Sequence, residues 1–143
     1  MISIKDETII DNLYDEDDPN RVALFNYFKY VLSRLKNKGY KCLATYTAGI
    51  SIDFCRACAE LDMLETVYIP YKDNDKKWPI PYKKSSKIII KKASAVKTLS
   101  KGGFNTKKIK QVQEIIDLNS KITLAIEKRQ HGTFLVTIKS NES

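Results

Sequence analysis

The sequence predicts an α/β fold, a three-layer sandwich with a mainly parallel sheet, and three observations carry that expectation. Short runs of β-branched and aromatic residues alternate with longer stretches of helical period through most of the 143 residues. The spacing between successive strand-like runs is too long for hairpins, which leaves crossover connections and parallel strands. The helical stretches each carry an apolar stripe, the pattern of helices laid over a sheet.

Taken in order, Ile2 to Ile4 predicts a short edge strand at the head of an acidic N-terminal arm, residues 1–20. Residues 21–143 then predict one domain, because 43% hydrophobic content supplies a single core. Asn20 is placed to cap a helix running to about Lys38, with Leu24, Phe28, Val31 and Leu35 on one face and Gly39 as its stop. Residues 40–45 read as a buried strand. A second helix follows the turn Thr47-Ala48-Gly49, with Ile50, Phe54, Cys58 and Leu61 on one stripe. Residues 65–70 form a strand stopped by Pro70, and residues 71–81 a long polar loop with Trp78 as its anchor. A lysine-studded helix is predicted from about Tyr82 to Ala93, although Ile88, Ile89 and Ile90 in succession suit a strand as well. Residues 95–99 are a strand, residues 105–118 a helix with Ile109, Val112 and Ile116 aligned, and residues 122–126 a strand. Local propensity in residues 134–138 favours one more strand.

Charge is unevenly distributed. Up to Asn20 there are seven acids against Lys5 alone, a net of −6, so the remainder carries +14. Between Lys72 and Lys110 stand thirteen lysines, opposed only by Asp73 and Asp75. Such a field attracts polyanions, either nucleic acid or a phosphorylated small molecule, and it equally makes a plain solvated surface. Lysines outnumber arginines 21 to 4, which counts against sequence-specific DNA recognition. No apolar run reaches membrane-spanning length and the N-terminus lacks a secretion-signal layout, so no membrane partner and a cytoplasmic location are expected. Cys42, Cys55 and Cys58 make no disulfide framework. Cys55-x-x-Cys58 lies within a helical pattern without a second pair, and only His131 is available elsewhere, so helix packing is its expected role and no metal or cofactor is expected.

Three glycine-bearing turns carry the functional expectation: Thr47-Ala48-Gly49, Ser100-Lys101-Gly102-Gly103-Phe104 and His131-Gly132-Thr133. A strand passing through such a turn into a helix directs backbone N–H groups outward at the helix's positive end, where an anion can sit. In a parallel sheet all three would share the rim at the carboxyl ends of the strands, where ligands bind.

Read together, these segments resemble the SLOG superfamily (the Smf/DprA–LOG Rossmann-like group), nearest its stand-alone YpsA-like branch. The resemblance covers residues 23–139 and rests on Tyr68-Ile69-Pro70-Tyr71 with Lys77-Trp78, on the Ser100–Phe104 turn, and on the ending through Thr133. It implies a Rossmann-like sandwich, and it implies a C-terminal helix after Thr133. The family's first pocket motif, small-Gly-x-x-x-Gly-x-Asp, is matched at Asp53, while Thr47 and Ser51 replace its glycines. The family's opening strand with its Thr-Gly-His-Arg-like turn is not recognisable. The resemblance implies binding of nucleotides, nucleotide-derived signals or nucleic acid at the rim. Gly102-Gly103 lacks the third glycine and spaced glutamate of the LOG branch, which cleaves cytokinin-type nucleotides. The chain is too short for the extra domains of the DNA-binding DprA branch.

The candidate ligand-binding residues are therefore Thr47, Ala48, Gly49, Asp53, Trp78, Lys101, Gly102, Gly103, Phe104, Gln113, Gly132 and Thr133. Asp53 either accepts from ribose hydroxyls or complements a helix dipole. Gly102 and Gly103 either admit a phosphate to the backbone or supply positive φ. Gln113 is implied by the resemblance as a polar pocket residue, and Thr133 either donates to a phosphate or caps a helix. Trp78 either stacks on a base or anchors its loop, and Lys101 either neutralises phosphate or is solvated. The leading expectation is non-catalytic binding, and by that means sequestration, of a small phosphorylated nucleotide-derived ligand such as an ADP-ribose derivative or cyclic nucleotide. By analogy with nucleotide-signalled antiviral systems, such a domain would be a viral inhibitor of defence. The alternatives are a nucleotide-cleaving enzyme of the LOG type, with Asp53 or Glu60 as acid–base group, and a nucleic-acid-binding module using the lysines. Apolar helix faces leave room for a homodimer or higher oligomer.

Overall fold

The computed structural model describes residues 1–6, 18–78, 80–129 and 133–141. Ten elements follow in the order β1 (Ile2–Asp6), α1 (Pro19–Lys36), β2 (Cys42–Thr45), α2 (Ile50–Glu60), β3 (Leu64–Ile69), α3 (Ile80–Lys92), β4 (Ala95–Thr98), α4 (Thr106–Asn119), β5 (Ile122–Lys128) and β6 (Phe134–Ser140). They build a six-stranded sheet in the order β4-β3-β2-β1-β5-β6. The first five strands are parallel, and β6 runs antiparallel to β5. The predicted three-layer, Rossmann-like architecture is the one observed.

Strand order explains the layers. From β1 the chain steps outward through β2 and β3 to β4, then α4 carries it back across to β5 on the other side of β1. Crossovers of one hand put helices on opposite faces when the direction reverses. Accordingly α1, α2 and α3 share a core with Ile2, Cys42 and Ala44. Val112 and Ile116 of α4 pack with Leu43 and Tyr68 on the opposite face. Strand alternation sends Leu43 to one side and its two neighbours to the other.

Three expectations are corrected. Residues 2–4 are not an edge strand: β1 pairs with β2 on one side and over five residues with β5 on the other. Ile2 is fully buried and Ser3 nearly so, because both faces are covered. Ile2–Asp6 is thus a central strand of the sheet. The helix implied after Thr133 is β6, which keeps register with β5 over seven pairs. Its Phe-Leu-Val-Thr-Ile run obeys β-propensity, and the short connection from β5 is of hairpin length. Finally, Asp18, not Asn20, caps α1: its carboxylate accepts from the backbone N–H of Asn20 at 2.9 Å and Arg21 at 3.2 Å, with Pro19 in the first turn.

The lysine-studded segment is helical, as predicted, but of its three isoleucines only Ile89 is fully buried, and Ile88 is exposed. A helix turns each successive residue by about 100°, so three consecutive side chains cannot share one face.

Gly49 heads α2 with φ 98° and ψ −143°, a backbone region that essentially only glycine enters. Gly49→Ala is therefore expected to lower stability by about 1–3 kcal/mol, read as an earlier midpoint in urea unfolding with unchanged slope. An unchanged midpoint would show that the turn relaxes at no cost.

Candidate functional site

A cleft of about 570 Å³ opens at the carboxyl ends of β1 and β2, beside the point where strand order reverses. Its floor is Ile4, Ala44 and Thr45, and the head of α2 supplies Thr47, Ala48 and Ser51 on one side. Tyr71, Asn74 and Trp78 of the β3–α3 loop close a second side, and Phe104, Ile109 and Gln113 before and along α4 close the third. The polar lining is hydroxyl and amide, and none of its described residues is a carboxylate, histidine, cysteine or lysine.

The two helix heads near the cleft differ. Asn105 caps α4 by accepting from Lys108 N–H at 3.2 Å. Gly49, without a side chain, leaves α2 with no side-chain cap. In the first turn of α2 the Ile52 N–H donates to the Gly49 carbonyl at 3.1 Å, which leaves the N–H groups of Ile50 and Ser51 as the ones that could meet an anion at the cleft wall.

The β3–α3 loop is braced from several directions. Tyr46 hydroxyl donates to Asp75 at 2.9 Å, and Asn74 amide donates to Tyr46 carbonyl at 2.6 Å. Lys72 N–H donates to Ser100 carbonyl at 2.9 Å, tying this loop to the glycine turn. Trp78 lies on Tyr46 at a centroid distance of 4.7 Å and meets Tyr82 edge-on at 6.3 Å. Burial pushes the Tyr46 hydroxyl well above the ordinary phenol range, with a hydrogen bond to Ser86 opposing and Asp75 adding to the rise, so it stays a donor.

On the far side of Tyr71 and Phe104 lies a second recess of about 650 Å³. Lys72, Lys76, Lys77 and Lys101 line it together with Gly102 and Gly103. Tyr71, Asn74 and Phe104 belong to both cavities, and the two rings meet edge-to-face at 5.7 Å. Phe104 is 74% exposed. Gly102 N–H donates to its neighbour Ser100 Oγ at 3.2 Å. Among the described glycines only Gly39 and Gly49 have positive φ, so turn geometry does not account for Gly102-Gly103.

The candidate residues thus divide. Thr47, Ala48, Trp78, Phe104 and Gln113 line the cleft, and Lys101, Gly102 and Gly103 line the adjoining recess. Gln113 lines it while its amide donates to Asp117 at 2.8 Å. Gly49 shapes the head of α2. Thr133 is remote, on a shallow groove with Asn20, Tyr27 and Phe134 between α1 and β6. Gly132 and His131 lie outside the described residues, in a connection that joins two antiparallel strands and not a strand to a helix.

Asp53 does not reach the cleft lining. It is 2% exposed and accepts two hydrogen bonds from Arg21, from Nε at 2.9 Å and Nη2 at 2.7 Å, with Arg56 at 3.8 Å. Burial pushes its carboxyl up from the ordinary range, while Arg21 and then Arg56 pull against that rise. For Arg21, desolvation lowers and the Asp53 partnership raises, with a net upward shift that keeps the guanidinium charged. Arg21 also lies over the Tyr82 ring at 5.3 Å, so one cation links α1, α2 and α3. Glu60, the other candidate acid, is at the opposite end of α2 and pairs with Lys29 at 3.4 Å.

The sequence reading missed Tyr71, Asn74 and Ser51 as lining residues and Tyr46 as the loop's brace. Tyr71 and Asn74 sit in the long loop flagged as a binding element, whereas nothing in the local pattern singles out Tyr46. The three cysteines are buried in the main core. Burial foremost pushes the Cys55 and Cys58 thiols upward, away from the reactive thiolate. No helix among the described residues is long and apolar enough to cross a membrane. Comparison of the chain with protein-family models and with curated proteins finds no match.

Proposed function

We propose that this protein binds a small phosphorylated, nucleotide-derived ligand in the cleft and holds it without cleaving it. One observation carries the reading: an aromatic-walled cleft at the carboxyl rim of a parallel sheet, into which a helix presents an N-terminus uncapped by any side chain. Such a head favours a phosphate, and Thr47 and Ser51 add hydroxyl donors beside it. Tyr71, Trp78 and Phe104 offer ring faces and edges to a base. The likeness to SLOG domains in the Gly-Gly turn and the Tyr-Ile-Pro-Tyr strand end supports the same ligand class.

Holding without cleavage rests on the chemistry of the lining. Glycosidic or phosphodiester cleavage needs a positioned acid, base or metal-activated water. The two carboxylates that the sequence offered for that work are engaged in ion pairs away from the cleft. Binding without cleavage lowers the free concentration of the ligand, the mode of a sponge against nucleotide signalling.

Calorimetry with adenosine mononucleotides, ADP-ribose and cyclic nucleotides, followed by mass spectrometry of the recovered ligand, tests both halves. Saturable binding with intact ligand is expected. Silence from the whole panel overturns the binding reading, and altered products overturn the non-catalytic one.

Gly103→Ala adds a local test. A methyl there meets nothing within 4 Å, and the backbone is not in the positive-φ region. Stability is expected to stay the same or rise by up to ~1 kcal/mol. Gly103 lines the recess and not the cleft, so a ligand confined to the cleft keeps its affinity, and one that extends into the recess binds severalfold more weakly. Unchanged affinity for every ligand of the panel would remove the Gly-Gly turn from the site.

A further inference from the structure

The lysine recess is not part of the cleft that holds the ring, yet the two share a wall, and this adjacency restricts the ligand. Resting on the reading of the cleft as a nucleotide site, we propose that cleft and recess form one bipartite site. Its ligand carries, beyond the ring and the phosphate at α2, a further anionic group that crosses the Tyr71–Phe104 pair. The chemical class is a nucleotide with a pyrophosphate bridge or a second phosphate, not a mononucleotide or a cyclic mononucleotide.

Four observations support this. The recess collects Lys72, Lys76, Lys77 and Lys101 against Asp73 as its single lining carboxylate. A lone phosphodiester offsets little of that charge, and a pyrophosphate offsets more. The lysines also come from two different loops, fixed to one another by the Lys72 N–H bond to Ser100, so their convergence does not depend on free side-chain motion alone. The cleft itself is without a lysine among its described lining residues, so charge and ring surface are sorted to opposite sides of one wall. That wall is two aromatic rings in edge-to-face contact, one of them 74% exposed at the lip, an arrangement that leaves ring surface open to a ligand passing over it.

Calorimetry at fixed ionic strength with AMP, ADP and ADP-ribose, on the wild type and on the K77Q/K101Q double variant, tests the proposal. Both lysines are exposed, and neither makes an ion pair or side-chain hydrogen bond among the described residues, so the variant is expected to fold as the wild type does. ADP and ADP-ribose are expected to bind about tenfold or more tighter than AMP, the worth of one charge-assisted hydrogen bond. In the double variant that advantage disappears while AMP affinity stays within about twofold, one surface charge contact at most. Equal affinity of all three ligands for the wild type overturns the bipartite site and leaves the cleft reading standing. An equal loss for all three in the variant overturns it too, because it reports a general field and not a subsite. Absence of binding by any of them removes the cleft reading and this one together.

Discussion

Asp53→Ala is expected to destabilise the protein by about 3–5 kcal/mol, a large share of the roughly 5–15 kcal/mol that holds a domain of this kind together. The loss is not that of a surface ion pair. Arg21 is 1% exposed, and its guanidinium gives two hydrogen bonds to Asp53 while lying over Tyr82. Removing the carboxylate strands a buried cation between three helices, and the cost is chiefly that of the uncompensated charge. Asp53→Asn should fare little better, since an amide accepts hydrogen bonds but brings no charge. The double replacement Arg21→Met with Asp53→Leu should recover much of the loss, because a similar volume is refilled without ions. Urea unfolding of the four proteins checks the set. Ligand affinity gives the independent arm: Asp53→Asn, assayed where it is folded, should bind as the wild type does. A stable Asp53→Asn protein that fails to bind would return Asp53 to the ligand role the family likeness implies.

The layers and the parallel order of the sheet were legible because they depend on repeated patterns. Alternating strand and helix periods fix the fold class whatever the exact ends of each element. What was not legible depended on contacts between distant residues. The role of Asp53 is one case. In sequence it matches a pocket motif, and only the fold brings Arg21, thirty-two residues earlier, against it. A physical hint was present, since an aspartate amid Ile50, Ile52, Phe54 and Cys55 faces burial and so needs a cation, but no local rule names which one. Residues 2–4 failed for a related reason. Three residues of strand pattern look marginal, and their central place comes from pairing with β2 and β5 on both sides. At residues 134–140 local propensity was right and the family likeness misled, because the Phe-Leu-Val-Thr-Ile run pairs with β5. The cleft lining followed the same division: Thr47, Ala48 and Phe104 lie in or beside turns that the sequence marks, whereas Tyr71 and Asn74 required the loop's folded path.

Trp78→Ala is the substitution expected to disable the site most while leaving a folded protein. The ring is half-buried, so its removal forfeits less than the full value of a core tryptophan, about 2–3 kcal/mol. For a chain of this length that corresponds to a fall in melting temperature of roughly 5–10 °C. The binding defect should be larger than stability alone explains. Trp78 holds Tyr46 at 4.7 Å, Tyr46 holds Asp75 and Asn74, and the same loop delivers Tyr71 to the wall between cleft and recess. Without the indole, the segment from Asn74 onward loses its main apolar contact and the cleft loses one face. An affinity loss of tenfold or more is expected, about 1.4 kcal/mol or above. Trp78→Phe, which keeps an aromatic surface against Tyr46, should restore most of the stability and part of the affinity. Trp78 is also the only tryptophan in the chain, so wild-type emission reports on this wall directly. Addition of a ligand that enters the cleft should change its intensity saturably, with the midpoint found by calorimetry. Saturable binding with no change in emission would place the ligand elsewhere on the protein, and the cleft would lose its claim.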